Sequence, residues 1–362
     1  MLTPSYNLPD LTALDGIETR SVLKALAAAN RSLAELKGRA AAIPNQGILI
    51  DTLALQEAKA SSEVENIVTT QDELFQADLF PEGPESPAAK EVALYRDALK
   101  FGFDQLLKTD GLITNATMIG MFHLLKRRTD GFRQTPGTAL KNDQTGEIVY
   151  VPPQDQNEIS SAMGMLERFI NDDEISGLDP LIKMALIHHQ FESIHPFPDG
   201  NGRIGRILNV LYLTRTGLLD TPILYLSRAI NKSKAEYYRL LQQVRETGEW
   251  EGWLVYMLQA VDETSKTTLD LIGNIRQQMT GIKMRLRDDF PKLYSQDLLN
   301  NMFRHPYTRI EFVQNDLNIS RQTAAKYLDT LADAGLLTKH QSGRSNYYIN
   351  EQLVALFMKV SG

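Results

Sequence analysis

Residues 195–206 read HPFPDGNGRIGR, and nearly every side-chain type in that run has a use in phosphate chemistry. His195 titrates near neutral pH and is suited to take a proton from an attacking hydroxyl. Asp199 is a carboxylate beside a glycine-rich turn, a usual way to hold Mg²⁺ next to phosphates. Gly200, Asn201 and Gly202 reach backbone conformations closed to bulkier residues, so successive amides can face one concavity and bind an anion. A helix starting there adds its N-terminal dipole and free N–H groups. Arg203 and Arg206 are three apart, hence on one helix face, and two guanidinium forks beside such a nest suit a polyphosphate. The set predicts a nucleoside polyphosphate, Mg²⁺ and a general base. A plain connection between helices accounts for the glycines, but not for His195, Asp199, Asn201, Arg203 and Arg206 in one run. His188, Glu192 and His195 stand at i, i+4 and i+7 and form a rival metal triad. Against it, Pro196 makes His195 a poor helix-interior residue, and the spacing lacks the His-Glu-x-x-His pattern of zinc peptidases. His188 and His189 read as packing residues.

The chain that must position these groups has 362 residues, room for two or three domains. Its apolar fraction of 43% supports a buried core. A net charge of −7 argues against a generic polyanion binder while allowing one basic patch. With no cysteine, disulfides, thiolate nucleophiles and Cys-ligated metals are excluded. MLTPSYNLPD lacks a basic segment followed by an apolar run, and no stretch stays apolar long enough to span a bilayer. A cytoplasmic protein without membrane contact is the expectation.

Leu23, Leu26, Leu33 and Leu36 recur at helical spacing in the first helical stretch, and a second runs from about Ile48 to Val68. PEGPESP, Pro81 to Pro87, breaks any helix before a third at about Ala88 to Leu107. Residues 131–153 carry turn signals and the strand-forming run Ile148 to Val151, which predicts a β-hairpin or extended flap. Helices are expected over about Asn157 to Asn171, Pro180 to Ile194, Arg203 to Arg215, Lys232 to Arg245 and Trp250 to Phe290. Toward the C-terminus, Ser320 reads as an N-cap and Gly335 as a helix stop, followed by two short strand-like runs around Ser-Gly. That order is the order of a winged helix-turn-helix.

The run at 195–206 resembles the signature of the Fic family, His-x-Phe-x-Asp/Glu-Gly-Asn-Gly-Arg-x-x-Arg. It matches at His195, Phe197, Asp199, Gly200, Asn201, Gly202, Arg203 and Arg206. The resemblance implies a mainly α fold: a Fic helical core with a β-hairpin flap, plus a C-terminal winged helix-turn-helix. It divides the chain into an N-terminal helical region (1–110), a core (111–290) with its flap at 131–153, and the winged helix (291–362). It implies an enzyme that transfers AMP from ATP to a Ser, Thr or Tyr hydroxyl of a protein, the chain itself included. His195 would be the base, Asp199 the Mg²⁺ ligand, Phe197 a buried anchor, and Gly200 to Arg206, with Ile204 and Gly205, the phosphate cradle. Upstream, SSEVEN places Ser61 and Glu65 on one helical face. Its likeness to the family's Ser/Thr-x-x-x-Glu-Gly/Asn motif makes Ser61, Glu65 and Asn66 an inhibitory helix (about 48–68), with Glu65 pairing Arg206 where ATP should bind. Tyr237 and Tyr238 stand where relatives line the adenosine pocket. A further Asn of some relatives is not matched, because that neighbourhood reads Arg245-Glu246-Thr247. The flap would dock a target segment as an added strand.

Residues 305–362 carry six basic against five acidic residues, a weak charge for a DNA reader. Arg321, Gln322 and Lys326, with Lys339 and Arg344 in the wing, would be the groove contacts. The alternative expectation is therefore a DNA-binding regulator whose core senses nucleotide. A protein-interaction or homodimer module of the same shape is the other use of that region.

Overall fold

A computed structural model describes residues 5–43, 45–79, 86–142, 145–342 and 345–361. The expected helix break at Pro81 to Pro87 falls largely outside these residues, as does Arg344. The N-terminal region holds α1 (Arg20–Ala40), α2 (Gly47–Val64), α3 (Gln71–Leu79) and α4 (Pro87–Lys108). The middle holds α5 (Asn115–Lys126), the hairpin β1 (Leu140–Lys141) and β2 (Ile148–Tyr150), α6 (Gln156–Asn171), α7 (Pro180–Ile194), α8 (Asn201–Arg215), α9 (Ser227–Lys232), α10 (Lys234–Thr247) and α11 (Glu251–Asp289). The C-terminal region is α12 (Gln296–Arg304), β3 (Tyr307–Arg309), α13 (Ile310–Leu317), α14 (Arg321–Asp333), β4 (Thr338–Ser342), β5 (Ser345–Ile349) and α15 (Glu351–Ser361). The fold is mainly helical.

Local chemistry sets the helix ends. Pro180 opens α7 behind an Asp179 cap that accepts from the Leu181 amide. Ser86 and Pro87 do the same for α4, and Ser320 caps α14 by accepting from Thr323 N. Every residue of α7 from Leu181 to Ile194 is buried, so this helix is the centre around which α6, α8 and α11 pack. α1 lies along α11. Its buried stripe starts at Val22, not Leu23, whose side chain is exposed. The expected extension of α2 to Val68 does not occur. Asn66 takes a left-handed φ of 61°, and the Ile67 and Asn66 amides turn back onto the Ser62 and Glu63 carbonyls, closing the helix at Val64. α3 and α5 were not apparent from periodicity.

Strands β3, β5 and β4 form an antiparallel sheet in that order. One hydrophobic cluster runs from Leu11 to Phe357, so the three regions share a core. The C-terminal region docks on the N-terminal one through polar contacts. Asp51 of α2 meets both Arg304 (2.7 Å) and Lys100 (2.6 Å). The Tyr307 hydroxyl donates to Asp72, and its ring stacks on Phe75 at 4.9 Å. In the C-terminal region, Arg321 pairs with Glu311 and Lys339 with Asp329, so two of the expected groove contacts already have acidic partners. Among the described residues, no helix is long and apolar enough to cross a membrane.

Candidate active site

Two helix ends meet at the site. α7 ends at His195 and α8 begins at Asn201, and the short connection between them is pinned from inside. Phe197 is fully buried, stacked on Phe122 with ring centres 4.4 Å apart. The Asn201 side chain accepts from the Phe197 amide and donates to the Phe197 carbonyl, both at 2.8 Å. Asn201 therefore staples the loop, and its amide group is spent on the backbone instead of facing the cleft. Gly200 has φ of 77°, a conformation only glycine adopts at little cost, and hands the chain into α8. Ile204 is turned into the core. Gly205 lets α8 approach α7, since a Cβ there would stand 2.7 Å from Glu192 Oε1.

His195 itself has a left-handed φ of 49° and caps α7. Burial, then the nearby Arg133 and Arg245 guanidiniums, push its imidazole down to about 3, so it is neutral at ordinary pH. A neutral imidazole is the form that accepts a proton. Asp199 is largely exposed. Burial opposes its charge, but the Lys126 ammonium at 2.5 Å and the Gly200 amide at 2.6 Å hold its carboxyl below the usual range.

Arg203 and Arg206 are both buried, and each is met by a carboxylate from the N-terminal region. Arg203 Nη1 donates to Glu91 Oε2 of α4 at 2.6 Å. Arg206 donates from Nε to Ser61 Oγ (2.8 Å), and from Nη2 to the Ser61 carbonyl (2.9 Å) and Glu65 Oε1 (2.9 Å). Burial works against the Arg206 charge, but Glu65 and the Tyr237 and Tyr95 hydroxyls together raise its pKa. The Glu65 carboxylate also overhangs the start of α8: a Cβ on Gly202 would lie 2.5 Å from Glu65 Oε1. Asn66 is the left-handed helix stop, and its side chain accepts from Lys234 at 2.8 Å. The cleft that results encloses about 350 Å³ between Glu65, Glu91, Lys126, His195, Asp199 and the 200–203 turn.

The two tyrosines part ways. Tyr237 is buried, with its hydroxyl 2.8 Å from His188 Nε2 and its ring among Trp253 and Tyr256. Tyr238 is exposed and meets the Tyr237 ring edge-on. His188 also has Asn209 at 3.1 Å from Nδ1, and burial drives its pKa down to about 3. His189 is buried against the Leu241 carbonyl and Trp250. Glu192 is buried beneath Gly205, and burial raises its carboxyl to about 7. Among the described residues, no three His, Asp or Glu side chains converge as metal ligands.

Sequence reasoning missed Glu91, Lys126, Arg133 and Tyr150. The first two neutralise site residues. The other two hold the end of α7: Arg133 donates to the carbonyls of His195 and Ile194, and Tyr150 to that of Ser193.

Comparison with known proteins follows this geometry. Residues 23–104 match the family model described as Fic/DOC family N-terminal, residues 115–213 that of the Fic/DOC family, and residues 278–353 the C-terminal domain of SoFic-like protein adenylyltransferases. The chain is similar to proteins named protein adenylyltransferase Fic. It is 28% identical to that of Drosophila erecta and 30% to that of Drosophila yakuba, each over 143 residues, 40% of this chain and 27% of the relative. It thus spans about a quarter of the length of the curated relatives it matches. Its fold is similar to a Fic family protein from Desulfovibrio desulfuricans G20, with TM-score 0.56 and 17% identity over 96% of this chain and 98% of the other. It is also similar to residues 134–508 of Fic-1 from C. elegans, with TM-score 0.55 and 21% identity over 71% and 74%.

Proposed function

This chain belongs to the Fic/DOC family, and on that premise we propose that it is a protein adenylyltransferase held in check by Glu65. The observation that carries the reading is the meeting of a neutral His195 with a helix N-terminus and the buried Arg203 around one cleft, with the buried Arg206 behind it, bonded to the cleft-lining Glu65. The open N–H groups and dipole of the first turn of α8 attract the phosphates, with Arg206 aimed at the same end. His195 takes the proton of a Ser, Thr or Tyr hydroxyl. The oxygen then bonds to the α-phosphorus of ATP, the bond from that phosphorus to the bridging oxygen breaks, and pyrophosphate leaves with the electron pair. Surface hydroxyls of the chain itself are within the same substrate class.

Mg²⁺ fits the donor set present. Asp199 offers one ionised, exposed carboxylate on the cleft wall, and Mg²⁺ commonly takes one carboxylate with phosphate oxygens and water completing its shell. When bound, it would offset phosphate charge.

Inhibition follows from occupancy. Glu65 takes a guanidinium edge of Arg206 and lays negative charge over the helix end that should receive the nucleotide. Glu65→Gly is expected to raise self-modification by at least about tenfold, the equivalent of one lost charge-assisted contact to Arg206. Equal rates in the parent and the variant would remove the inhibitory role.

A further inference from the structure

The last turn of α7 leaves backbone carbonyls without helical partners, as every helix end does. Here four in a row are met from the flap side. The Tyr150 hydroxyl donates to Ser193 O at 2.6 Å. Arg133 donates from Nη2 to Ile194 O at 3.4 Å and from Nε to His195 O at 2.7 Å. The Arg133 amide donates to Pro196 O at 2.8 Å. The same guanidinium reaches Pro153 O at 2.8 Å, so it ties the beginning of the flap segment to its end as well as to the turn. Arg245 closes the other side, its guanidinium 3.9 Å from the Tyr150 ring centre and its Nε donating to Ser193 Oγ at 3.1 Å.

This is more than a fold needs to end a helix. A left-handed cap usually forms on glycine or asparagine and satisfies its own carbonyls. His195 makes the usual cap bond, its amide donating to Phe191 O at 2.9 Å, but it is a side-chain-bearing residue in the left-handed region, which costs free energy that its surroundings must offset. Arg133 is buried, its Nε and Nη2 go to backbone carbonyls, and its Nη1 meets no partner among the described residues, which makes it an expensive choice of cap.

We propose that Arg133 and Tyr150 are positioning residues for His195, and that the flap is a brace for the base. The proposal rests on the reading of His195 as the base of the transfer reaction. It gives residues 131–153 a task separate from target docking. Ile148 and Val149, exposed on the strand that ends at Tyr150, remain available to a target, while Tyr150 and Arg133 face inward to the turn.

The test uses the full-length Glu65→Gly protein as parent, with Arg133→Gln, Arg133→Lys and Tyr150→Phe added singly. The maximal transfer rate is expected to fall by between ~10- and 100-fold in Arg133→Gln, and less in Tyr150→Phe, which removes one oxygen only. The KM for ATP and the nucleotide Kd stay within about twofold, since the α8 end is untouched. Arg133→Lys recovers part of the loss, because an ammonium reaches fewer carbonyls than the fork. A second readout needs no transfer at all: the His195 imidazole resonances, assigned by their loss in His195→Ala, are displaced and broadened in Arg133→Gln and Tyr150→Phe. An undiminished rate with superimposable imidazole resonances overturns the proposal. So does a rate loss matched by an equal loss of nucleotide binding. If the Glu65→Gly parent transfers nothing, the reading of the reaction fails, and the imidazole spectra still decide whether the flap positions His195.

Discussion

The end of α7 and the start of α8 are separated by six residues and are held by opposite means. The α7 end presents carbonyls, and cationic and hydroxyl donors from the flap side satisfy them. The α8 start presents N–H groups, and a carboxylate from α2 stands over them. On the function proposed above, the partner in the first case fixes the base, and in the second it is of the same sign as the phosphates and competes for their place. On that reading, helix-terminus electrostatics serve assembly at one end and restraint at the other. Arg203 belongs with the second end, since Glu91 meets it as Glu65 meets Arg206.

Substitutions at the two ends separate them by kind of defect. In the Glu65→Gly background, His195→Ala is expected to lower the transfer rate by ~10²–10⁴ while nucleotide binding holds. Arg206→Ala should instead raise the KM for ATP, and a pure rate effect there would blur the comparison. Gly202→Ala comes next. Its Cβ would meet the far end of the flexible Glu65 side chain at 2.5 Å and push it aside, so it should cost at most about 1 kcal/mol in the parent and less beside Glu65→Gly. Equal costs in the two backgrounds, read by urea unfolding, would contradict the overhang.

A pH effect lies behind the α8 end. Glu57 is buried, and burial raises its carboxyl to about 7 from 4.5, against hydrogen bonds from Ser227 and Tyr95. Between those values the folded chain keeps a proton that the unfolded chain has released. Its contribution to stability therefore falls as pH rises through that window. The stability of Glu57→Gln relative to the parent should improve by on the order of 2 kcal/mol from pH 4.5 to just above pH 7. A difference independent of pH would show that Glu57 does not titrate there. The smallest effect is expected for Glu91→Gln, below ~1 kcal/mol, because Glu91 is partly in solvent.

What could be read from the sequence was local. Proline and aspartate at the start of α7 and the His-Pro pair at its end mark the observed limits Pro180–Ile194. The run from His195 to Arg206 holds His195, Asp199 and the 200–203 turn, which line one cleft because that chemistry is contiguous in the chain. Asn201 has a task that the sequence does not show: its side-chain amide bonds the Phe197 backbone in both directions. Arg133 meets His195 from 62 positions away, and Glu91 meets Arg203 from 112, and no periodicity encodes such pairs. Tyr237 suits a pocket and a core equally by residue type, and its packing against His188 and Trp253 is a contact that no local pattern shows. α2 ends at Val64, four residues before the expected Val68, because Asn66 takes a left-handed conformation that leaves little trace in sequence.

The most direct test of restraint at one end and catalysis at the other is the intact mass of Glu65→Gly protein after incubation with ATP and Mg²⁺, beside the Glu65→Gly, His195→Ala double variant. The account predicts a gain of one AMP unit in the first and none in the second. A gain of phosphate alone, or an AMP gain that survives loss of His195, would contradict it.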